Sequence, residues 1–371
     1  MEAVAALPRD RYDITVLYVP EVWKDHLRAH DIEAAWIEPS RILRLTERFL
    51  WRLIFLPISL WRFLSPLFHP VARALVAGGC DLWLFPGQDH WSYLAPVPAL
   101  VSILDLMHRY ERRFPEVSAR GHYHERERHY RCICRWTRGV LVDSELGRRH
   151  VHESYGISLD TTFALPVVAP AYLTALPDPH FDDKYSLPRK FLFYPAQFWL
   201  HKNHLALFEA IARVRKDCPD VRLVLTGAKL NGYDRAMERA KELGIQDAVQ
   251  HCGYVPNRDM GEFYRRARAL VMPTFFGPTN TPQMEAFVMG CPVATSDIYG
   301  IPEQVGDAAL LFDPSSADDI AACIKRLWLD DALCSTLSSR GRTRAAGWTQ
   351  EGFSATLAQH LERLLEQQER S

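Results

Sequence analysis

No apolar run in this chain approaches the roughly 20 residues that a helix needs to cross a bilayer. The most hydrophobic region, residues 50–64, is broken by Arg52, Pro57 and Arg62, and only 9 residues separate the two arginines. Charge of one sign is not in excess either. Lysine and arginine number 44 against 45 aspartate and glutamate, and the net charge of -1 gives no global attraction to nucleic acid. Cysteine is present but unpatterned: the 8 residues are scattered, and the one close pair, Cys132 and Cys134, lacks metal-ligand spacing. Free thiols in a reducing compartment follow from that pattern, and no metal site is expected. The opening residues 1–8 contain no basic region followed by an apolar core, so no signal peptide is read. These absences point to a cytoplasmic protein.

The chain has 371 residues and 48% hydrophobic content, enough for two ordinary cores. Strand and helix patterns alternate along it, which predicts α/β architecture in two domains. Residues 12–19 read as a strand, and too few residues precede them for a complete strand, turn and helix. Short strands ending at Phe85 and Leu104 lead into polar loops containing Gln88, Asp89 and His90, and then Asp105 and His108. Charged residues 123–135 read as a helix with a solvated face. Residues 139–145 read as a strand handing over to a helix capped by Ser144 or Asp143. A proline-rich stretch then predicts a linker with its boundary near Asp178, giving domains 1–178 and 179–348 and a segment 349–371 that crosses back to the first. Residues 45–75, aromatic and basic, fit either a core helix pair or an interfacial segment on lipid headgroups, with Trp51 and Trp61 bordering the apolar run.

The stretch 269–296 carries the clearest chemistry. A buried strand runs into a loop containing Gly277, Pro278, Asn280, Thr281 and Pro282, and then into a helix with Glu285 in an early turn and Gly290 at its end. In an open α/β sheet this turn lies at the carboxyl end of a strand, where helix N-terminal amides attract phosphate and a carboxylate accepts from ribose hydroxyls. A capped helix after a strand is also ordinary scaffold. Earlier in the same half, Gln197, Lys202 and Asn203 lie between a strand and a helix start, where a lysine is placed to neutralise a diphosphate.

Several ordered motifs in this half resemble the family 4 retaining glycosyltransferases of the GT-B class. Glu285 matches the second glutamate of the family's donor motif, Asn280, Thr281 and Pro282 occupy its Gly-Leu-Pro place, and Lys202 matches the lysine of its phosphate loop. Gly227 ends a family-like strand, residues 249–256 with Tyr254 resemble the segment that supports the nucleotide base, and residues 301–314 match the family pattern. In the first half, Asp105, Leu106 and His108 resemble a His-Asp-Leu-x-His segment, and residues 139–145 resemble a further family region.

The resemblance implies a GT-B fold, two Rossmann-like domains facing a central cleft, with an N-terminal domain that either lacks its usual first strand or is reduced. It implies a retaining transfer of sugar from a nucleoside diphosphate sugar to a carbohydrate or lipid-linked acceptor in surface polysaccharide assembly. Donor contacts fall on Gln197, Lys202, Gly227, Tyr254, Asn280, Thr281, Pro282 and Glu285, and catalytic roles on His108 and Asp105. No cofactor beyond the donor is implied, and no nucleic-acid partner. The chain departs from the pattern at Leu104, Gln197 and Gly277, where a histidine, an arginine and a glutamate are usual. Those departures suit an alternative, a weakened protein of the same fold that binds a nucleotide sugar or a partner glycosyltransferase. A nucleotide-sugar epimerase is a more distant one.

Overall fold

The computed structural model describes residues 2–18, 27, 33–37 and 57–369. They divide into two α/β bodies, the first drawn from Met1–Leu106, His124–Pro166 and Gln350–Ser371, the second from Met107–Tyr123 and Val167–Thr349. Among the described residues no strand is shared between them.

In the first body, β1 (Thr15–Tyr18) pairs in parallel with β2 (Glu33–Trp36). A second parallel sheet has the order β3 (Trp83–Phe85), β4 (Ala99–Ser102), β5 (Gly139–Val142) and β6 (Thr162–Ala164). Every residue of β5 is buried, so it reads as a continuous apolar run rather than as an alternating one. The next helix, Glu145–Tyr155, is capped by Ser144, whose hydroxyl accepts from the Gly147 amide, and ends on Gly156 in the left-handed region. The C-terminal helix Gln350–Glu369 belongs to this body: Leu357, Leu361 and Leu364 are buried, His360 Nε2 bonds the Ala164 carbonyl at 3.0 Å, and Tyr12 donates to Glu362 at 2.9 Å.

Part of the aromatic, basic region, residues 45–56 with Trp51, lies outside the described residues. Its continuation is the helix Ile58–Phe68. Trp61 does not face outward as an interfacial anchor would: it is buried, edge-on to Phe68, while Phe63 and Leu67 are exposed. Among the described residues no helix is long and apolar enough to cross a membrane.

The second body is built on six parallel strands: β7 (Leu192–Pro195), β8 (Leu223–Thr226), β9 (Val249–His251), β10 (Ala269–Met272), β11 (Val293–Ser296) and β12 (Ala309–Phe312). Their spatial order is β12-β11-β10-β7-β8-β9, the doubly wound arrangement in which the direction of winding reverses between β7 and β10. Because all six are parallel, their carboxyl ends share one edge.

The segment read as a linker packs into this second body, whose longer stretch of chain begins at Val167 and not near Asp178. Leu173 and Phe181 are fully buried in its core. The buried carboxylate of Asp259 accepts from the Asp178 amide at 2.9 Å, Lys184 at 3.0 Å and Tyr185 at 2.9 Å. These bonds fasten residues 178–185 to the helix Asn257–Arg266. On the same helix, Gly261 lets the turn Ala171–Thr174 come close, because a Cβ there would run into the Leu173 carbonyl oxygen.

Replacing a helical glycine with alanine ordinarily stabilises by about 1 kcal/mol. At Gly261 the sign should reverse, with the Leu173 carbonyl forced away. Gly261→Ala is expected to lower the urea midpoint, and an unchanged or raised midpoint would contradict the packing described here.

Candidate functional site

The reversal between β7 and β10 makes the loops after these strands diverge. Their carboxyl ends are therefore where a ligand meets the sheet. The loop after β7 contains Gln197 and a 3-10 turn, Leu200–Lys202, and ends on Asn203 in the left-handed conformation, φ 59°. Asparagine tolerates that conformation. Its buried side chain also holds two other loops, donating Nδ2 to the carbonyls of Pro273 (3.0 Å) and Pro314 (2.7 Å). The Lys202 carbonyl accepts from Tyr194 Oη at 2.8 Å. Gln197 is exposed, its Oε1 accepting from Trp199 Nε1 at 3.0 Å.

The loop after β8 begins with Gly227 at φ 118°, and a Cβ there would lie 2.6 Å from the Ala196 carbonyl oxygen. Both the conformation and the close approach require glycine. Gly227 donates its amide to the Gly253 carbonyl at 2.8 Å, tying this loop to the one after β9. The neighbouring Tyr254 is 81% exposed, a large ring standing in solvent at the same edge.

The loop after β10 leads into the helix Thr281–Met289, with Pro282 in its first turn. Asn280 occupies the N-cap position, but its side chain makes no capping hydrogen bond. Gln304 instead clamps its backbone, accepting from the Asn280 amide and donating to its carbonyl, each at 2.8 Å. Asn280 is only 8% exposed, and its Nδ2 has no hydrogen-bond partner. A buried amide donor in that condition is costly unless something accepts from it. Its side chain fills the space a Cβ at Gly277 would need, so Gly277 and Asn280 are sterically coupled.

Glu285 is buried, and each of its oxygens accepts from a phenol, Oε1 from Tyr172 at 3.0 Å and Oε2 from Tyr264 at 2.5 Å. Burial together with the neighbouring carboxylate raises both phenols above their ordinary range. Two lone-pair directions on the carboxylate remain beyond those two bonds.

The two sequence-assigned catalytic residues fall in different bodies. In the first, Asp105 is paired with Arg126 at 3.1 Å within a network that runs through Tyr130 to Gln88. His108 belongs to the second and is fully buried, 5.7 Å from the Tyr123 ring.

The segment Met107–Tyr123 lies across the strand-end loops of the second body. Met107, Phe114 and Val117 form a small apolar cluster with Phe276, against which Leu200, Phe275 and Tyr299 pack. Glu111 accepts from Tyr299 Oη at 2.8 Å. Glu116, missed in the sequence reading, makes three bonds here: Oε1 accepts from the His201 amide (3.0 Å) and from His201 Nδ1 (2.7 Å), and Oε2 from Asn231 Nδ2 (3.1 Å). Burial alone would raise this carboxyl, but the His201 and Asn231 hydrogen bonds hold it down at about 2. Among the described residues no three His, Cys, Asp or Glu side chains cluster as a metal site.

A carboxyl with its folded pKa near 2 and an ordinary value of 4.5 contributes stability that is complete above pH 4.5 and lost as pH falls through 2. The stability difference between the parent chain and Glu116→Gln should therefore shrink from pH 4.5 to pH 2 in urea titrations. Curves that stay parallel over that window would contradict the assignment.

Residues 180–344 match the family described as glycosyl transferases group 1. O-antigen chain mannosyltransferase B of Escherichia coli is 34% identical over 127 residues, 33% of this chain and 33% of that protein. The MMP alpha-(1->4)-mannosyltransferase of Mycolicibacterium hassiacum is 29% identical over 142 residues, 38% of this chain and 34% of that protein. The matches thus span about a third of the length of these two relatives. Among solved structures, HepE of Anabaena in complex with UDP and glucose superposes with a TM-score of 0.72 at 17% identity, covering 97% of this chain and 94% of that one. The fold is GT-B, and residues 180–344 of the chain match the model of the group 1 glycosyltransferases.

Proposed function

We propose that this protein transfers a sugar from a nucleoside diphosphate sugar to a carbohydrate or lipid-linked acceptor, with retention at the anomeric carbon, in surface polysaccharide assembly. One observation carries the reading: the loops bearing Lys202, Gly227, Tyr254 and Asn280 through Glu285 all leave the same sheet edge, with Lys202 and Glu285 on opposite sides of the β7–β10 reversal. The relatives named as an O-antigen chain mannosyltransferase and an alpha-(1->4)-mannosyltransferase support sugar transfer, and the neighbour solved with UDP and glucose supports a nucleotide donor.

In this reading the bond from the anomeric carbon to the diphosphate breaks, the diphosphate leaves with the electron pair, and the acceptor hydroxyl adds to that carbon and gives its proton to the departing diphosphate. The developing charge is met by the Lys202 ammonium and by the first amides of Thr281–Met289, supplemented by Asn280 Nδ2. Glu285, oriented by Tyr172 and Tyr264, takes the ribose hydroxyls, and Tyr254 and Gly227 border the base. Asp105 and His108 are proposed as the catalytic pair at the transferred sugar. No cofactor beyond the donor is invoked, the location is the cytoplasm, and the exposed Phe63 and Leu67 are the side chains available for peripheral membrane contact. The full burial of His108 favours a second reading, donor binding without transfer.

Calorimetry with UDP and GDP, and product analysis with UDP-glucose and GDP-mannose, test both. Hydrogen bonds to charged groups are worth about 1.5–3 kcal/mol, so Glu285→Ala should weaken diphosphate and nucleoside binding alike by roughly 10- to 150-fold. Lys202→Ala should act on the diphosphate and spare the nucleoside. Either folded variant binding as tightly as the parent would refute the site, and tight binding with no transfer to any acceptor would select the second reading.

A further inference from the structure

Lys202 sits in a turn whose own backbone cannot fix it. A 3-10 turn of three residues satisfies few of its amides internally, and Leu200 and His201 each donate outward. Both amides are taken up by one pair of side chains. The Leu200 amide donates to Asn231 Oδ1 at 3.3 Å, and the His201 amide donates to Glu116 Oε1 at 3.0 Å. Asn231 in turn donates to Glu116 Oε2, and the His201 ring, whose Nδ1 must carry the proton facing a carboxylate, donates to Oε1. The Glu116 side chain is only 4% exposed, so these bonds form with little competition from water. On its other side the same turn accepts, through the His201 carbonyl, the Phe275 amide from the loop after β10 (2.8 Å).

From this arrangement we infer that Glu116, on the segment Met107–Tyr123, is a positioning residue for donor binding: it sets the turn that presents Lys202 to the diphosphate. The inference rests on the function proposed above. Glu116 does not touch the ligand and acts through Lys202. Removing its carboxylate frees the His201 amide, the His201 imidazole and Asn231 Nδ2 at once, so the turn keeps its bonds to Asn203, Tyr194 and the Phe275 amide but loses the brace on its outer side. Glu116 is remote in sequence from the loop it holds, and the segment that carries it begins beside His108. Donor affinity thereby depends on the segment that bears the candidate catalytic histidine.

A double-mutant cycle on the full chain tests this, with inorganic pyrophosphate, UDP, GDP and uridine as titrants. Glu116→Ala is expected to weaken pyrophosphate and UDP binding about 10-fold and to leave uridine unaffected. In a Lys202→Ala background the same substitution should change pyrophosphate and UDP binding by no more than about twofold, because its route to the ligand is already gone. Glu116→Gln, which keeps an acceptor for the His201 amide, should give a smaller loss that also disappears without Lys202. A merely structural role would instead give additive losses that include uridine, and that result would overturn the inference. A parent chain that binds neither pyrophosphate, UDP nor GDP would overturn the function reading, and this inference with it. Diphosphate binding by the parent with additive variants would overturn the inference alone.

Discussion

The second body depends on one topological constraint: six strands run parallel, and their order reverses between β7 and β10. Parallel strands bring every strand-to-helix loop to the same edge, and the reversal sends the loops at its centre apart. The resulting gap must be bounded by loops that hold their positions without a regular ladder. Here the bounding loops are bonded to one another, by Asn203 to the carbonyls of Pro273 and Pro314, by the Phe275 amide to the His201 carbonyl, and by the Gly227 amide to that of Gly253. Glycine at 227 and asparagine at 203 are consequences of that bracing, because each takes a positive φ while its backbone or side chain crosses to a neighbouring loop.

Two buried carboxylates then do different things at this edge. Glu285 is held by two phenols, neutral donors that orient it without neutralising it and leave acceptor capacity for hydroxyl groups. Glu116 takes three donors, one of them an imidazole 2.7 Å away, and its remaining role is mechanical. The difference follows from partners: a carboxylate surrounded by amides and a histidine is stabilised as a fixed anion, whereas one between two tyrosines remains ready for a further polar ligand. Gly261 links to the first arrangement at a distance, since its missing side chain lets the turn Ala171–Thr174 bring Tyr172 to Glu285.

Much of the second body was legible in the sequence because its signals are local. Strand β10, its loop and the helix that Gly290 ends follow from an apolar run, turn residues and a left-handed stop, and Lys202 and Glu285 were found as polar residues just past strand ends. Ser144 was readable as a cap for the same reason. The rest rests on pairings across long stretches of chain. Nothing near Glu116 announces Asn231, and nothing near Glu285 announces Tyr172, 113 residues away. The prolines after Pro166 read as a linker, yet Leu173 and Phe181 sink into a core that local pattern does not display. The region around Trp61 read as either a core helix pair or an interfacial segment, because tryptophan beside arginine suits both, and packing turned Trp61 inward and left Phe63 outside. Nothing near Asn280 announces Gln304, which holds its backbone while its amide Nδ2 stays without a partner.

A crystal structure of the chain with a nucleoside diphosphate bound tests the central claim most directly. The account predicts diphosphate density reached by both the Lys202 ammonium and the first amides of the helix Thr281–Met289, with ribose hydroxyls at Glu285 and Asn280 Nδ2 newly bonded to an oxygen of the ligand. Density for the nucleotide at any other edge of the sheet, with Asn280 Nδ2 still unpartnered, would contradict it.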